Sequence, residues 1–505
     1  MTATTSLTVA VAGLGPMGRG IARVFDRCGA RVVVCDVSPE ATQAGLDQIR
    51  AEAAADGDTV SVTGGTLESA LRDADLFVEA VVEDMAVKTD LLREVRQHGR
   101  DDLIVASNTS SLSIGEMGKA FGDPARVIGM HFFNPPTKMR LVEVVRGAAT
   151  GDSVHERIVG LVEALGKTAV TCADSPNFVV NRICRPLYYE AQLLAVQGLE
   201  PATVDAVARG ALGHRMGPLE LLDFTGLHTH LASSETAHRE FGDPRYRPIP
   251  RVRGLVRNGM TGKAAGRGFY DHKAEPPRTA RARVTQPPPA VAAASRWAVV
   301  GPDTAELRAH PTVAGRLTED TEAAELVVFA CHRPPTPEDV ETVRRLGSTA
   351  PVVVDSSDAA WLYALPPDTG WVRLHAWREA VFAEVVDDPV AGIAPTPAVD
   401  TLLATVEGTS VRVPALPGLV ADRLAHCLAN EAYAVVEEGT ARPEDVNVAL
   451  RLAMNHPVGP LEYVERVGVD TVYAGLRSLL AEFGDPRYRP TQLMRRQHGA
   501  LTRRR

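Results

Sequence analysis

The chain has 505 residues, 45% of them hydrophobic and 23% charged, a composition that excludes collagen-like, coiled-coil and wholly disordered classes. At roughly 100 to 200 residues per domain, that length predicts about three to five domains. The 54 basic and 63 acidic side chains leave a formal charge of −9, and no long basic block precedes the terminal Arg503-Arg504-Arg505, so no nucleic-acid partner is expected.

Met1 to Leu7 carries neither a basic nor an apolar targeting stretch, and no apolar run approaches the ~20 residues of a membrane span, which predicts a cytoplasmic protein with no membrane partner. From Leu7 to about Thr171, β-rich runs (LTVAVAG, RVVVCD, DLFVEAV, LIVAS, RVIGMHFF) alternate with helical patterns. That alternation predicts a mostly parallel sheet with crossover helices. From Ser175 the pattern turns helical, and Asp174-Ser175-Pro176 offers a Ser cap followed by a Pro at the first helical position.

A Pro-, Ala- and Arg-rich stretch between Ala274 and Ala294 reads as a linker. Strand-like runs return beyond it (RWAVVG, ELVVFA, PVVVDSS, VFAEVV), and a second helical stretch follows Pro414. The order of the first half recurs, and so do particular residues. FGDPRYRP at Phe241 to Pro248 reappears at Phe483 to Pro490, an offset of 242, and Gly217-Pro218-Leu219-Glu220 reappears as Gly459-Pro460-Leu461-Glu462. Asn181-Arg182 becomes Asp422-Arg423 at an offset of 241. The period is far above the roughly 20 to 50 residues of solenoid repeats, which predicts a duplicated two-domain unit. The expected domains are 1–173 (dinucleotide-binding), 174–275 (helical), 276–295 (linker), 296–412 (degenerate Rossmann-like) and 413–505 (second helical). The six cysteines form no C-x-x-C pair and read as buried free thiols, with no metal site.

Gly13-Leu14-Gly15-Pro16-Met17-Gly18 follows a strand and opens a helix, and Asp36 ends the next strand. Glycines there permit a tight turn and close approach of a pyrophosphate to the positive end of the helix dipole. Asp36 favours ribose hydroxyls over a 2′-phosphate, so the expected cofactor is NAD. Pro16 lacks an N–H and removes one phosphate donor. Farther on, His131-Phe132-Phe133-Asn134-Pro135-Pro136 precedes Leu141-Val142-Glu143-Val144-Val145, which points to a His131–Glu143 pair across neighbouring elements. Such a pair suits proton transfer from a hydroxyl as hydride leaves the same carbon. Spacing alone reads His131 equally well as a satisfied core histidine. Ser113-Ile114-Gly115-Glu116 fits a capping box, a structural role.

GLGPMGRGIA, VVVCD, VEAVVED, SNTSSLSI, HFFNPPTKMRLVEVV, SPNFVVNR, MGPLELLDFTGL and GKAAGRGFY, in that order, resemble the NAD-dependent L-3-hydroxyacyl-CoA dehydrogenases, in particular those of the 3-hydroxybutyryl-CoA type. The resemblance covers about residues 7 to 272 and more loosely the rest. It implies an α/β Rossmann domain followed by an all-α domain, with His131 as catalytic base, Glu143 as its orienting partner, and Ser110 and Asn181 as polar groups holding the reacting oxygens and the histidine in register. It also implies that Glu83, Lys88, Ser110 and Asn134 line the ribose and nicotinamide end of the cofactor. The implied reaction interconverts a (3S)-hydroxyacyl thioester and its 3-oxoacyl counterpart with NAD(H).

Three departures stand out. The Asp36 to Asp75 excursion is shorter than the family's CoA-contacting hairpin, and Arg50 and Arg72 are its only basic residues. Ala264 replaces a family lysine, with Lys263 beside it. The second copy has Val299-Val300-Gly301-Pro302-Asp303 in place of a glycine-rich loop, while it retains His375 and Glu384 and carries Asp422 in place of Asn181. These features predict a silent second copy whose helical domain docks onto the first as a pseudo-dimer within one chain. A carrier-protein thioester or a free hydroxy acid is the alternative substrate, and a non-catalytic NAD sensor the alternative role.

Overall fold

The computed structural model describes residues 7–274, 293–376 and 380–503. Most of the expected linker at 276–295 therefore lies outside the described residues. The chain divides into two compact units that do not follow chain order: residues 1–182 with 435–459, and residues 183–434 with 460–505.

In the first unit eight strands form one sheet: β1 (Thr8–Ala12), β2 (Arg31–Cys35), β3 (Thr63–Gly64), β4 (Leu76–Glu79), β5 (Ile104–Ser107), β6 (Val127–Phe132), β7 (Leu141–Arg146) and β8 (Thr168–Ala173). Their order is β3-β2-β1-β4-β5-β6-β7-β8, and every neighbouring pair is parallel except β6–β7. Val, Ile and Phe fill β1, β4, β5 and β6 because these strands are covered on both faces, as parallel sheets with crossover helices require; Val9, Val11, Phe77, Val78, Val105 and Ile128 are all fully buried. Strand order reverses at β1, where the chain turns outward to β2 and later returns to β4. The crevice beyond the carboxyl ends of β1 and β4 is therefore the expected ligand position. Helices α1 (Pro16–Arg27) and α2 (Pro39–Ala55) flank it, each with a proline in its first turn.

The helix expected at Ser175 begins at Val180. Asn177 (φ 64°) and Phe178 (φ 52°) adopt left-handed backbone first, a turn that aims the amides of Val179 and Val180 at Glu143.

The second unit contains the remainder of the Val180–Val196 helix, the helices Pro201–Gly210, Pro218–Thr225, Leu227–Phe241 and Pro250–Arg257, and a six-stranded sheet. Its strands are β9 (Trp297–Val300), β10 (Leu326–Ala330), β11 (Val352–Asp355), β12 (Gly370–His375), β13 (Phe382–Val386) and β14 (Thr409–Val413). They lie side by side in chain order, parallel except for β12–β13. This sequence of pairings matches β1, β4, β5, β6, β7 and β8; among the described residues β2 and β3 have no counterpart. Among the described residues, the second sheet thus lacks the strand that leads into Asp36 in the first.

The repeated FGDPRYRP segments form equivalent turns. Asp243 accepts the Arg245 N–H at 2.9 Å and Asp485 the Arg487 N–H at 3.0 Å. Each turn presents an Arg and a Tyr to a buried glutamate: Arg245 and Tyr246 to Glu431, Arg487 and Tyr488 to Glu190. All six cysteines are free, and all but Cys28 are buried; burial, helped by nearby Asp36 and Glu94, pushes the Cys35 thiol up to about 12. Among the described residues no helix is long and apolar enough to cross a membrane.

Candidate active site and cofactor cleft

The turn from β1 into α1 is built by its glycines. Gly13 has φ 87°, and a Cβ there would lie 2.7 Å from the Ala80 carbonyl oxygen; a Cβ on Gly18 would lie 1.8 Å from that of Gly13. Gly15 differs, because a Cβ placed on it would meet no atom within 4 Å. Its missing side chain leaves open space in front of the α1 N-terminus, where the amides of Met17 and Gly18 give the dipole its positive end. That is the cradle a dinucleotide pyrophosphate needs, and the chain fits NAD there. Pro16 occupies the first helical position and contributes φ but no donor.

A cleft of about 1230 Å³ runs from this loop, lined among others by Gly13, Leu14, Gly15, Asp36, Val37 and Val82. Asp36 directly follows the last residue of β2 and is half-buried; its Oδ2 accepts the Leu14 N–H at 2.6 Å. Its carboxylate therefore clamps the glycine loop while facing the cleft, where a 2′-phosphate would meet a like charge.

The structure joins Glu83, Lys88 and Ser110 in one network, anchored by Glu79, a residue outside the expected site. Lys88 is 1% exposed, and its Nζ lies 2.8 and 2.7 Å from the two oxygens of fully buried Glu79. Ser107 Oγ bonds the same carboxylate. Glu83 Oε2 stands 3.4 Å from Lys88 Nζ, and its Oε1 accepts the Ser110 N–H at 2.9 Å and the Thr109 hydroxyl at 2.7 Å. Burial raises the Glu83 carboxyl, but Lys88 and the donors of Thr109, Ser110 and Ser111 outweigh it, and the group titrates below its ordinary value. The Glu83–Lys88 pair is thus no loose surface contact. The clue to Glu79 was a carboxylate ending the apolar strand Leu76-Phe77-Val78-Glu79.

His131 on β6 faces Glu143 on β7 in direct antiparallel register. Its Nδ1 lies 2.7 Å from Glu143 Oε2, while Glu143 Oε1 accepts the N–H groups of Val179 at 3.2 Å and Val180 at 2.9 Å. Glu143 is fully buried and His131 is 6% exposed. An ionised carboxylate only accepts, so the imidazole donates from Nδ1 and carries its lone pair on Nε2; among the described residues Nε2 has no hydrogen-bond partner. The rings of Phe133 and Phe178 flank it, with centroids at 4.7 and 5.8 Å. Asn181 follows Val180 directly and is half-buried rather than buried. Asn134, three positions after His131 in sequence, is exposed. Ser113 is the N-cap of the Ile114–Phe121 helix, and its hydroxyl also bonds Asp174, a structural role. Lys263, beside Ala264, is exposed and stands over the Phe224 ring at 5.8 Å. No group of His, Cys, Asp and Glu among the described residues forms a metal site.

Register corrects the reading of the second copy. Glu384 faces Arg373, not His375, so the counterpart of His131 is Arg373. Arg373 Nε pairs with Asp422 Oδ2 at 2.9 Å, a buried ion pair occupying the places of His131 and Asn181. His375 reaches Glu384 from two positions along the strand, through Nε2 at 3.0 Å. The Gly301 turn survives with φ 104°, but Asp303 Oδ2 accepts the His332 N–H at 2.7 Å, and the helix that follows, Ala305–Ala309, has only five residues.

Comparison with known proteins agrees with this geometry. The family model for the 3-hydroxyacyl-CoA dehydrogenase NAD binding domain matches residues 8–175, and that for the C-terminal domain of the same family matches two segments, 178–272 and 418–503. The 3-hydroxyadipyl-CoA dehydrogenase of Escherichia coli is 30% identical over 510 residues, 97% of each chain. This chain belongs to the 3-hydroxyacyl-CoA dehydrogenase family. A probable 3-hydroxybutyryl-CoA dehydrogenase of Bacillus subtilis is 40% identical over 278 residues, covering 52% of this chain and 97% of that one. The crystal structure of 3-hydroxybutyryl-CoA dehydrogenase from Escherichia coli K12 superposes with a TM-score of 0.77 at 28% identity, covering 99% of both chains. The protein is accordingly an NAD-dependent oxidoreductase of the hydroxyacyl-CoA dehydrogenase type, and these relatives favour neither a carrier-protein substrate nor a non-catalytic role.

Proposed function

We propose that the chain interconverts (3S)-hydroxyacyl-CoA and 3-oxoacyl-CoA at one site in its first half, with His131 as general base and acid. The observation that carries this is the fixed pair of His131 Nδ1 and Glu143 Oε2 at 2.7 Å, which leaves Nε2 as the acceptor. NAD, when bound, accepts hydride from C3 of the hydroxyacyl group. His131 Nε2 takes the hydroxyl proton, and the Glu143 carboxylate stabilises the resulting imidazolium. Ser110 and Asn181 orient the C3 and thioester oxygens. Gly13 to Gly18 cradle the pyrophosphate, Asp36 takes the adenosine ribose, and Glu83, Lys88 and Asn134 line the nicotinamide end. The names of the relatives, one acting on 3-hydroxybutyryl-CoA and one on 3-hydroxyadipyl-CoA, support a short or polar acyl chain.

The second half serves as a built-in partner, in place of the second subunit of a dimer, with domains at 1–173, 174–275, 296–412 and 413–505. Reciprocal contacts support this: Glu190 binds Arg487 and Tyr488, and Glu431 binds Arg245 and Tyr246, as in an interface whose two sides use the same patch. NADH oxidation by the purified protein with acetoacetyl-CoA tests the activity. The expected product is (3S)-hydroxybutyryl-CoA; no turnover, or a racemic product, would refute it.

A further inference from the structure

Glu143 is held from two sides, by its own strand and by the amides of Val179 and Val180, and both sides lean on residues 438–454. Arg182 follows Val180 by two positions and is 1% exposed. Its Nη1 lies 2.7 Å from Glu438 Oε2, 3.4 Å from Thr440 Oγ1 and 3.4 Å from Ser175 Oγ. One guanidinium therefore joins the start of the left-handed turn, the end of it, and chain from the second half. On the strand side, the Ala173 N–H at the end of β8 donates to the Thr440 carbonyl at 2.8 Å. The helix Pro443–Met454 packs on β7 and β8, and β8 places Val170 opposite Glu143.

The equivalent tie in the second unit is different. There Arg423 Nη1 meets the neutral amide oxygen of Gln197 at 2.9 Å, at the same 241-residue offset that relates Arg182 to Arg423 and Gln197 to Glu438. A carboxylate stands at this position only beside the segment that serves His131.

We infer that Glu438 and Thr440 are positioning residues for the His131–Glu143 pair, so that the second half completes the active site of the first. Loss of the Glu438 tie lets residues 175–182 relax, withdraws amides from Glu143 and loosens its grip on His131. The inference rests on the proposed role of His131, and its test separates the two.

Full-length protein is labelled with 13C at histidine Cε1, the His131 resonance is assigned by its absence in H131Q, and its titration is followed without substrate. In Glu438→Ala the His131 midpoint should fall, because the imidazolium loses part of its carboxylate. In parallel, kcat with acetoacetyl-CoA should drop about 10- to 100-fold while KM for NADH and for acetoacetyl-CoA stays within about twofold. Glu438→Gln, which keeps an oxygen acceptor as Gln197 does for Arg423, should recover most of kcat. If Glu438→Ala fails to fold, Glu438→Asp, one carbon short, carries the same expectations. An unchanged His131 midpoint in the folded variant overturns the inference, as does a Glu438→Gln loss as deep as that of Glu438→Ala. A wild-type protein inert towards acetoacetyl-CoA would instead refute the proposed reaction and leave the titration to decide the positioning role.

Discussion

Glu190 and Arg423 lie 233 positions apart in sequence and 2.8 Å apart in the structure, both fully buried. The same carboxylate accepts from Arg487 Nη1 at 2.9 Å and from the Tyr488 hydroxyl at 3.0 Å. Glu190→Ala leaves fully buried Arg423 without its counter-charge and Arg487 with Asp485 alone, and should cost about 3–5 kcal/mol. Glu431→Ala should cost less, because Arg245 is 22% exposed where Arg487 is 4% exposed. Urea unfolding of the two full-length variants makes the comparison; equal losses would contradict it.

The glycine loop separates binding from folding. Gly15 has φ −63°, open to any residue, and space in front of it, so Gly15→Ala should keep wild-type stability yet weaken NADH binding at least about tenfold, or about 1.4 kcal/mol. Gly18→Ala drives a methyl into the Gly13 carbonyl and should destabilise the protein by about 1–3 kcal/mol. Fluorescence titration with NADH, alongside thermal unfolding, tells the two effects apart.

Burial depresses His214 to about 4. A histidine whose folded value lies below its unfolded value near 6.5 leaves stability intact above that value, and stability falls as pH drops from 6.5 towards 4, because the unfolded chain binds the extra proton. Between pH 7 and pH 5 the wild type should therefore lose about 2 kcal/mol relative to His214→Leu. Denaturant unfolding of both proteins at the two pH values measures the difference; parallel losses would show that His214 does not couple to folding.

Local rules made the glycine loop, Asp36 and the β6–β7 pair legible in the sequence: a strand, a tight turn and a helix within a few residues, then a His and a Glu on adjacent strands. Long-range geometry was not legible. The left-handed turn at Asn177 and Phe178 uses residues that give no glycine signal, so the sequence pattern turns helical at Ser175 while the helix itself starts at Val180. The burial of Lys88 has no local mark, because the Glu79 carboxylate that neutralises it comes from a different element. In the second copy, matching His375 to His131 by residue type was misleading, because strand register assigns that place to Arg373. The repeated FGDPRYRP was visible as a repeat, but the glutamates it binds, Glu190 and Glu431, carry no local mark.

The central claim is that one histidine, on one of two related halves, moves the proton. NADH oxidation with acetoacetyl-CoA by full-length wild type and His131→Gln, measured together with NADH affinity, tests it most directly. The account predicts a loss of about 100- to 10,000-fold in kcat with NADH binding unchanged, and no residual turnover from the second copy, where Arg373 faces Glu384 and Asp303 occupies the phosphate position. Turnover by His131→Gln near the wild-type rate would contradict it.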